Sequence, residues 1–177
     1  MKKTFFMGTI LTYLLFSCLH SEPTIQAVTN DELIKKAALE IISVSKYCTL
    51  ISTGNDGFPN ARIMDPFPPD RNWVIWMGTN AYSRKVKEIL TNKKITLFYE
   101  SEGSDGYVSL KGTGYINNEQ ENKIKYFKSG WKEFYPDDRT NFTLIKFVTE
   151  KLEIVSYKKG LLGEKRTWEA PSILFEN

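Results

Sequence analysis

The residues of this sequence best suited to chemistry are cations and hydroxyls. They gather in Gly78-Thr79-Asn80-Ala81-Tyr82-Ser83-Arg84-Lys85. Here an apolar strand-like run passes through a short loop into a helix-like one. The first N–H groups of a helix lack intrahelical partners, and the helix dipole favours an anion beside them. Ser83 adds a hydroxyl donor, Arg84 a planar fork able to grip a phosphate, and Lys85 a point charge. The chemistry implied is phosphate binding; the plainer alternative is a solvated helix start that is merely basic. Upstream, Arg62 sits in Asn60-Ala61-Arg62-Ile63-Met64 among apolar neighbours. A buried charge needs a partner, so Arg62 either finds one or points to water.

Other chemistries fail on inventory. The chain of 177 residues has one histidine, His20, so a histidine-based dyad or metal site in the main domain is excluded, and no metal is expected. Its two cysteines, Cys18 and Cys48, form no CxxC pair, which excludes a disulfide scaffold and a cysteine zinc site. Cys48 lies in Tyr47-Cys48-Thr49-Leu50-Ile51 and reads as plain core, since a free cysteine behaves as a small hydrophobe. The net charge is +3 with Lys and Arg dispersed, so no nucleic-acid partner is expected. Hydrophobic residues make up 41% and aromatic residues 14%, enough for one packed core.

The elements that must position these residues follow from periodicity and turn chemistry. Thr29-Asn30-Asp31-Glu32 has the form of a capping box. Leu33, Ala37, Leu39 or Glu40, Ile41 and Val44 then recur at helical spacing over about 30–45. Strands are expected over 47–53, 60–67, 73–77, 95–100 and 107–116, with Gly112 and Gly114 admitting a bulge. Residues 142–157 supply one long bent strand or two short ones. Ser83 to Leu90 reads as a short helix capped by Ser83. Asn118 to Lys128 reads as another, with Ile124, Phe127 and Trp131 on one stripe. Closely spaced strands with few helices indicate a mainly β (α+β) fold, a small barrel with peripheral helices.

The front of the chain reads differently. A basic Met1-Lys2-Lys3 precedes an apolar run, Phe5 to Phe16, too short to span a membrane and arranged like a secretory signal. Leu14-Leu15-Phe16-Ser17-Cys18 resembles a bacterial lipobox, which would lipidate Cys18. The expected organisation is therefore 1–18 as signal and lipobox, 19–28 as tether and 29–177 as the domain. The expected location is the envelope, membrane-bound only through an N-terminal lipid anchor; an ordinary cleaved signal, an uncleaved anchor and a cytoplasmic protein are the alternatives.

Thr79-Asn80-Ala81-Tyr82-Ser83-Arg84-Lys85-Val86-Lys87-Glu88 resembles the T-N-x-x-S-R-K-x-x-E signature of the pyridoxamine 5′-phosphate oxidases. Arg62 matches that family's flavin-contacting arginine on the second strand. Trp131-Lys132-Glu133-Phe134-Tyr135-Pro136-Asp137-Asp138, followed by Leu144-Ile145-Lys146-Phe147, is similar to a block of the general stress protein 26-like branch. The resemblance spans about residues 30–157. It implies a six-stranded split β-barrel and a homodimer holding FMN, or another flavin or deazaflavin, in two intersubunit clefts. Arg62, Arg84 and Lys85 would grip the phosphate, with Ser83 and Thr79 assisting. Ile63, Met64, Gly78 and Thr79 would lie along the ring system, and a tryptophan such as Trp131 or Trp168 would cover it. The chain departs from the true oxidases at Tyr107, where they carry Gln, and at Trp168-Glu169-Ala170-Pro171, which does not reproduce their terminal Trp-and-Arg segment. It also lacks their substrate-handling Arg-x-His pair. A flavin-dependent oxidoreductase that does not oxidise pyridoxamine phosphate is the first expectation; a non-catalytic flavin- or haem-type binding protein, or a stress-related envelope lipoprotein, is the second. No side chain stands out as an acid or base, so whether the chain is an enzyme stays open.

Overall fold

The computed structural model describes residues 30–101, 103, 105–135 and 140–176. The leader with Cys18, the tether, Thr29 of the capping box and Pro136-Asp137-Asp138 lie outside the described residues. Among those described, no helix is long and apolar enough to cross a membrane.

Helix α1, Asn30–Val44, buries Ile34, Ala37, Ala38, Ile41 and Ile42. The expected stripe shared Ala37 and Ile41, but Leu33, Leu39 and Val44 are exposed. The true face is rotated, because Ile34, Ala38 and Ile42 face inward in place of Leu33, Leu39 and Val44. Strands β1 (Cys48–Thr53) and β2 (Pro59–Met64) form a hairpin. Gly57 at its turn has φ +82°, a conformation that costs glycine little. Then come β3 (Val74–Asn80), α2 (Arg84–Thr91), β4 (Lys94–Glu100), β5 (Gly106–Asn117) and α3 (Gln120–Lys125). Strands β6 (Phe142–Ser156) and β7 (Ser172–Leu174) complete the chain.

All strand pairs are antiparallel, in the order β2-β1-β4-β5-β6-β3, with β7 added to β6. Among the described residues the fold is therefore a mainly β antiparallel sheet with three α-helices. Its edge strands β2 and β3 are consecutive in the chain yet stand at opposite ends of this path. An isolated bridge between Pro66 and Met77 joins the segment after β2 to β3, and Phe67 N–H donates to the Trp76 carbonyl at 2.8 Å. That bridge ends β2 at Met64 rather than Phe67, because the main chain past Asp65 pairs with β3 instead of β1.

Two apolar clusters lie on opposite faces of β3 and β6. The larger holds α1 against Leu50, Ile75, Met77, Leu97, Leu110 and Phe147. The smaller contains Trp76, Trp131, Phe142 and Leu144, with Tyr126, Phe127 and Phe67 around it. Tyr126 stacks on Trp76 at 4.5 Å between centroids. This cluster explains why the helix expected over 118–128 is short. Tyr126 and Phe127 turn inward after α3, and a 3-10 turn at Ser129–Trp131 inserts the indole. Ile124, expected on the same stripe, is exposed.

The register of β5 against β6 shifts between Lys111 and Gly112. A Cβ at Gly112 would overlap the Val148 carbonyl and crowd the Phe147 ring. Gly112→Ala is accordingly expected to lower stability by about 1–3 kcal/mol, the usual cost of overpacking, measured by urea unfolding followed by circular dichroism.

Candidate functional site

Antiparallel pairing places Asn60 opposite Ser52 and Arg62 opposite Leu50. Alternation along β2 points Asn60, Arg62 and Met64 inward and Ala61 and Ile63 outward. Across the sheet end, β3 runs through Thr79 and Asn80 into a turn and then α2. The turn is set locally: Asn80 Oδ1 accepts from Tyr82 N–H at 2.8 Å, and its carbonyl accepts from Ser83 N–H at 3.0 Å. Ser83 occupies the N-cap position with extended backbone and makes no side-chain cap hydrogen bond.

One turn into α2, Glu88 enters the space beneath β1 and β2 with only 5% of its side chain exposed. Its Oε2 receives Arg62 Nη2 at 2.7 Å and the Ser52 hydroxyl at 2.5 Å. Its Oε1 receives Asn60 Nδ2 at 3.0 Å and Arg84 Nε at 3.2 Å. Arg62, 16% exposed, also donates from Nη1 to Ser52 at 2.6 Å. Lys85, half-buried, donates to Thr79 Oγ1 at 3.1 Å, and Thr79 lies 3.4 Å from the Ser83 hydroxyl.

Three cations thus surround one carboxylate, leaving two positive charges unbalanced. Burial pushes the Glu88 carboxyl up, but hydrogen bonds from Ser52 and Arg62 and the charges of Arg62 and Arg84 outweigh it and hold it below the usual carboxylate range. For Lys85, burial lowers the ammonium below its ordinary value, and the neighbouring charge of Arg62 lowers it further. A phosphate arriving here would relieve repulsion among cations already held in place.

The structure therefore brings together Arg62, Thr79, Ser83, Arg84 and Lys85. The remaining expected residues lie elsewhere. Ile63 is 66% exposed, whereas Met64 is buried in the larger core, so their side chains do not line one surface. Gly78 and Trp131 meet on the other face of β3: a Cβ at Gly78 would overlap the Trp131 ring. Trp131 is 9% exposed and donates from Nε1 to Asp65 at 3.0 Å. Lys128 holds the same carboxylate at 2.5 Å. Within its own chain, Trp131 is a core residue.

Glu88, Ser52 and Asn60 are the members of this cluster that charge-based reading overlooked. Glu88 was the one most open to detection, since it closes the quoted signature and stands four residues after Arg84, the spacing that pairs charges on a helix.

The site is a cationic cluster at the point where β3 of a small antiparallel β-fold runs into a short helix. The chain belongs to the "Pyridoxamine 5'-phosphate oxidase like" family, whose model matches residues 34–162. It is 28% identical over 131 residues to general stress protein 26 of Bacillus subtilis, covering 72% of this chain and 91% of that protein. Among solved structures it resembles a general stress protein 26-related protein from Clostridium acetobutylicum, with TM-score 0.66 and 22% identity over 83% of this chain and 96% of that one. A haem-binding protein from Mycobacterium smegmatis shares the fold at TM-score 0.58 and 14% identity, over 80% of this chain and 57% of that one. The resemblance carried by the Thr79–Glu88 signature is thereby borne out.

Glu88→Ala leaves Arg62 facing a cavity without its counter-charge. The expected loss at pH 7 is about 3 kcal/mol, the scale of a broken buried pair, measured by chemical unfolding. Because the folded Glu88 carboxyl sits below its reference of 4.5, its stabilisation is complete above that pH and is lost as pH falls through the lowered value. The gap between wild type and variant should therefore close on acidification.

Proposed function

We propose that this chain is an FMN-binding flavoprotein of its family, binding the flavin phosphate through Arg62, Arg84 and Lys85. The observation that carries the reading is the cation cluster itself: two uncompensated positive charges, one on a half-buried lysine, at the opening of α2. Thr79 and Ser83 supply hydroxyls to the same anion. Glu88 holds both arginines by their guanidinium groups, which limits the ordering that phosphate binding must still impose.

The fuller assembly is a split barrel, closed beyond the Pro66–Met77 bridge, in a homodimer with flavin between subunits. The exposed Ile63 and Ala61 on the outer face of an edge strand give that dimer an apolar surface to bury. Trp168, 82% exposed at φ +62°, is better placed than the buried Trp131 to reach a neighbouring subunit's ligand. A bound flavin would supply hydride or electron transfer, while the protein fixes its position and excludes water. No histidine lies among the described residues, which favours flavin over a histidine-ligated haem.

The test is the absorbance spectrum of the purified protein before and after adding FMN. A flavin spectrum that survives gel filtration at dimer mass is expected. Arg84→Ala combined with Lys85→Ala should weaken FMN at least about tenfold, the scale of one lost charge-assisted hydrogen bond. Unchanged affinity in that variant would overturn the phosphate assignment. Pyridoxamine phosphate should release no hydrogen peroxide, because the Arg-x-His pair is absent; robust release would refute this.

A further inference from the structure

A carboxylate inside a cationic cluster looks, by charge counting alone, like a fault in an anion site. Removing Glu88 would raise the balance at the opening of α2 from two positive charges to three. Its placement points the other way. An ionised carboxylate offers about four acceptor positions. On Oε2 they meet Ser52 and Arg62; on Oε1 they meet Asn60 and the Arg84 guanidinium. Only 5% of the Glu88 side chain is exposed, against 72% for Arg84. Its charge therefore lies behind the cations and is turned toward protein donors.

Arg84 is the member of the cluster with the most freedom to lose. A long exposed side chain gives up much rotamer freedom when a ligand orders it. Among the described residues its one ion pair is the contact of Nε with Glu88 Oε1 at 3.2 Å, one helical turn along α2. That contact engages the Nε side of a planar group. It leaves the Nη1–Nη2 edge, which can grip two oxygens of one phosphate. Arg84 also lines a pocket of about 340 Å³ between the β1–β2 turn and α2, and Asp56 lines the same pocket. Asp56 is the competing carboxylate to which an untethered Arg84 would be drawn.

We propose that Glu88 is a positioning residue for anion binding. It holds Arg84 by Nε, so that the Nη1–Nη2 edge is presented to the ligand's phosphate and kept from Asp56. Glu88 itself touches no ligand. The inference deepens the flavin reading and rests on it.

The test is FMN affinity, read by quenching of flavin fluorescence, in the full chain and in Glu88→Gln. Glutamine keeps the shape, removes the charge and puts an amide donor where two acceptor positions were. Charge counting expects tighter FMN binding from the extra positive charge. Positioning expects binding about tenfold weaker, the scale of one charge-assisted hydrogen bond. Arg84→Ala removes the fork itself, so Glu88→Gln should cost less in that background than in the wild type. Should Glu88→Gln fold poorly, Ser52→Ala carries the test. Ser52 is 1% exposed and donates to Glu88, so its loss should weaken FMN about threefold without removing any charge; unchanged affinity there would overturn the proposal. Equal or tighter binding in Glu88→Gln, or losses that simply add in the double variant, would overturn it and leave the flavin reading standing. A wild type that ignores FMN would overturn both.

Discussion

The candidate site depends on one buried carboxylate. Glu88 accepts from Ser52 on β1, from Asn60 and Arg62 on β2, and from Arg84 on its own helix. It therefore ties an edge hairpin to α2 by a charge that is costly to leave unpaired. An edge strand is otherwise free to fray or to pair with other chains. Here β2 is held by its inward arginine, whose position is also what any anion at the site would use. Structural and binding demands thus fall on the same atoms.

The second organising constraint is the amino-terminal half of β6, which is buried on both faces. Phe142 and Leu144 enter the aromatic cluster while Ile145 and Phe147 enter the main core. Strand β3 lies against it with Gly78 opposite Leu144. The missing side chain at Gly78 lets the Trp131 ring approach the sheet. A glycine that reads as a flavin-approach position is therefore occupied, within this chain, by its own tryptophan.

Much of this was legible in the residues. Period-two alternation and turn clusters located every long strand, and the bulge at Gly112 followed from glycine in a strand. The Ser83-Arg84-Lys85 run marked the cationic cluster because charge type and helix position are local properties. What escaped detection was long-range. The face of α1 was misplaced because Leu33, Leu39 and Val44 compete with Ile34, Ala38 and Ile42, and only the sheet beneath decides between them. The three-residue β7 carries too little pattern to read. Helix α3 stops where Tyr126 and Phe127 find Trp76 and Phe142, partners set by tertiary contact. Glu88 stood only as the last residue of the quoted signature, and its burial is decided by the hairpin that closes over it.

The strand order has a consequence for synthesis. Strand β3 is made early, but its hydrogen-bonding partner β6 begins at Phe142, some sixty residues later. At ordinary elongation speed that interval is on the order of ten seconds. During it the emerging chain carries Ile75, Trp76 and Met77 on a strand without its long partner, with the β1–β2 hairpin complete and α2 made soon after β3. A chain ending before β6 would therefore contain every residue of the cationic cluster yet lack the strand against which β3 pairs.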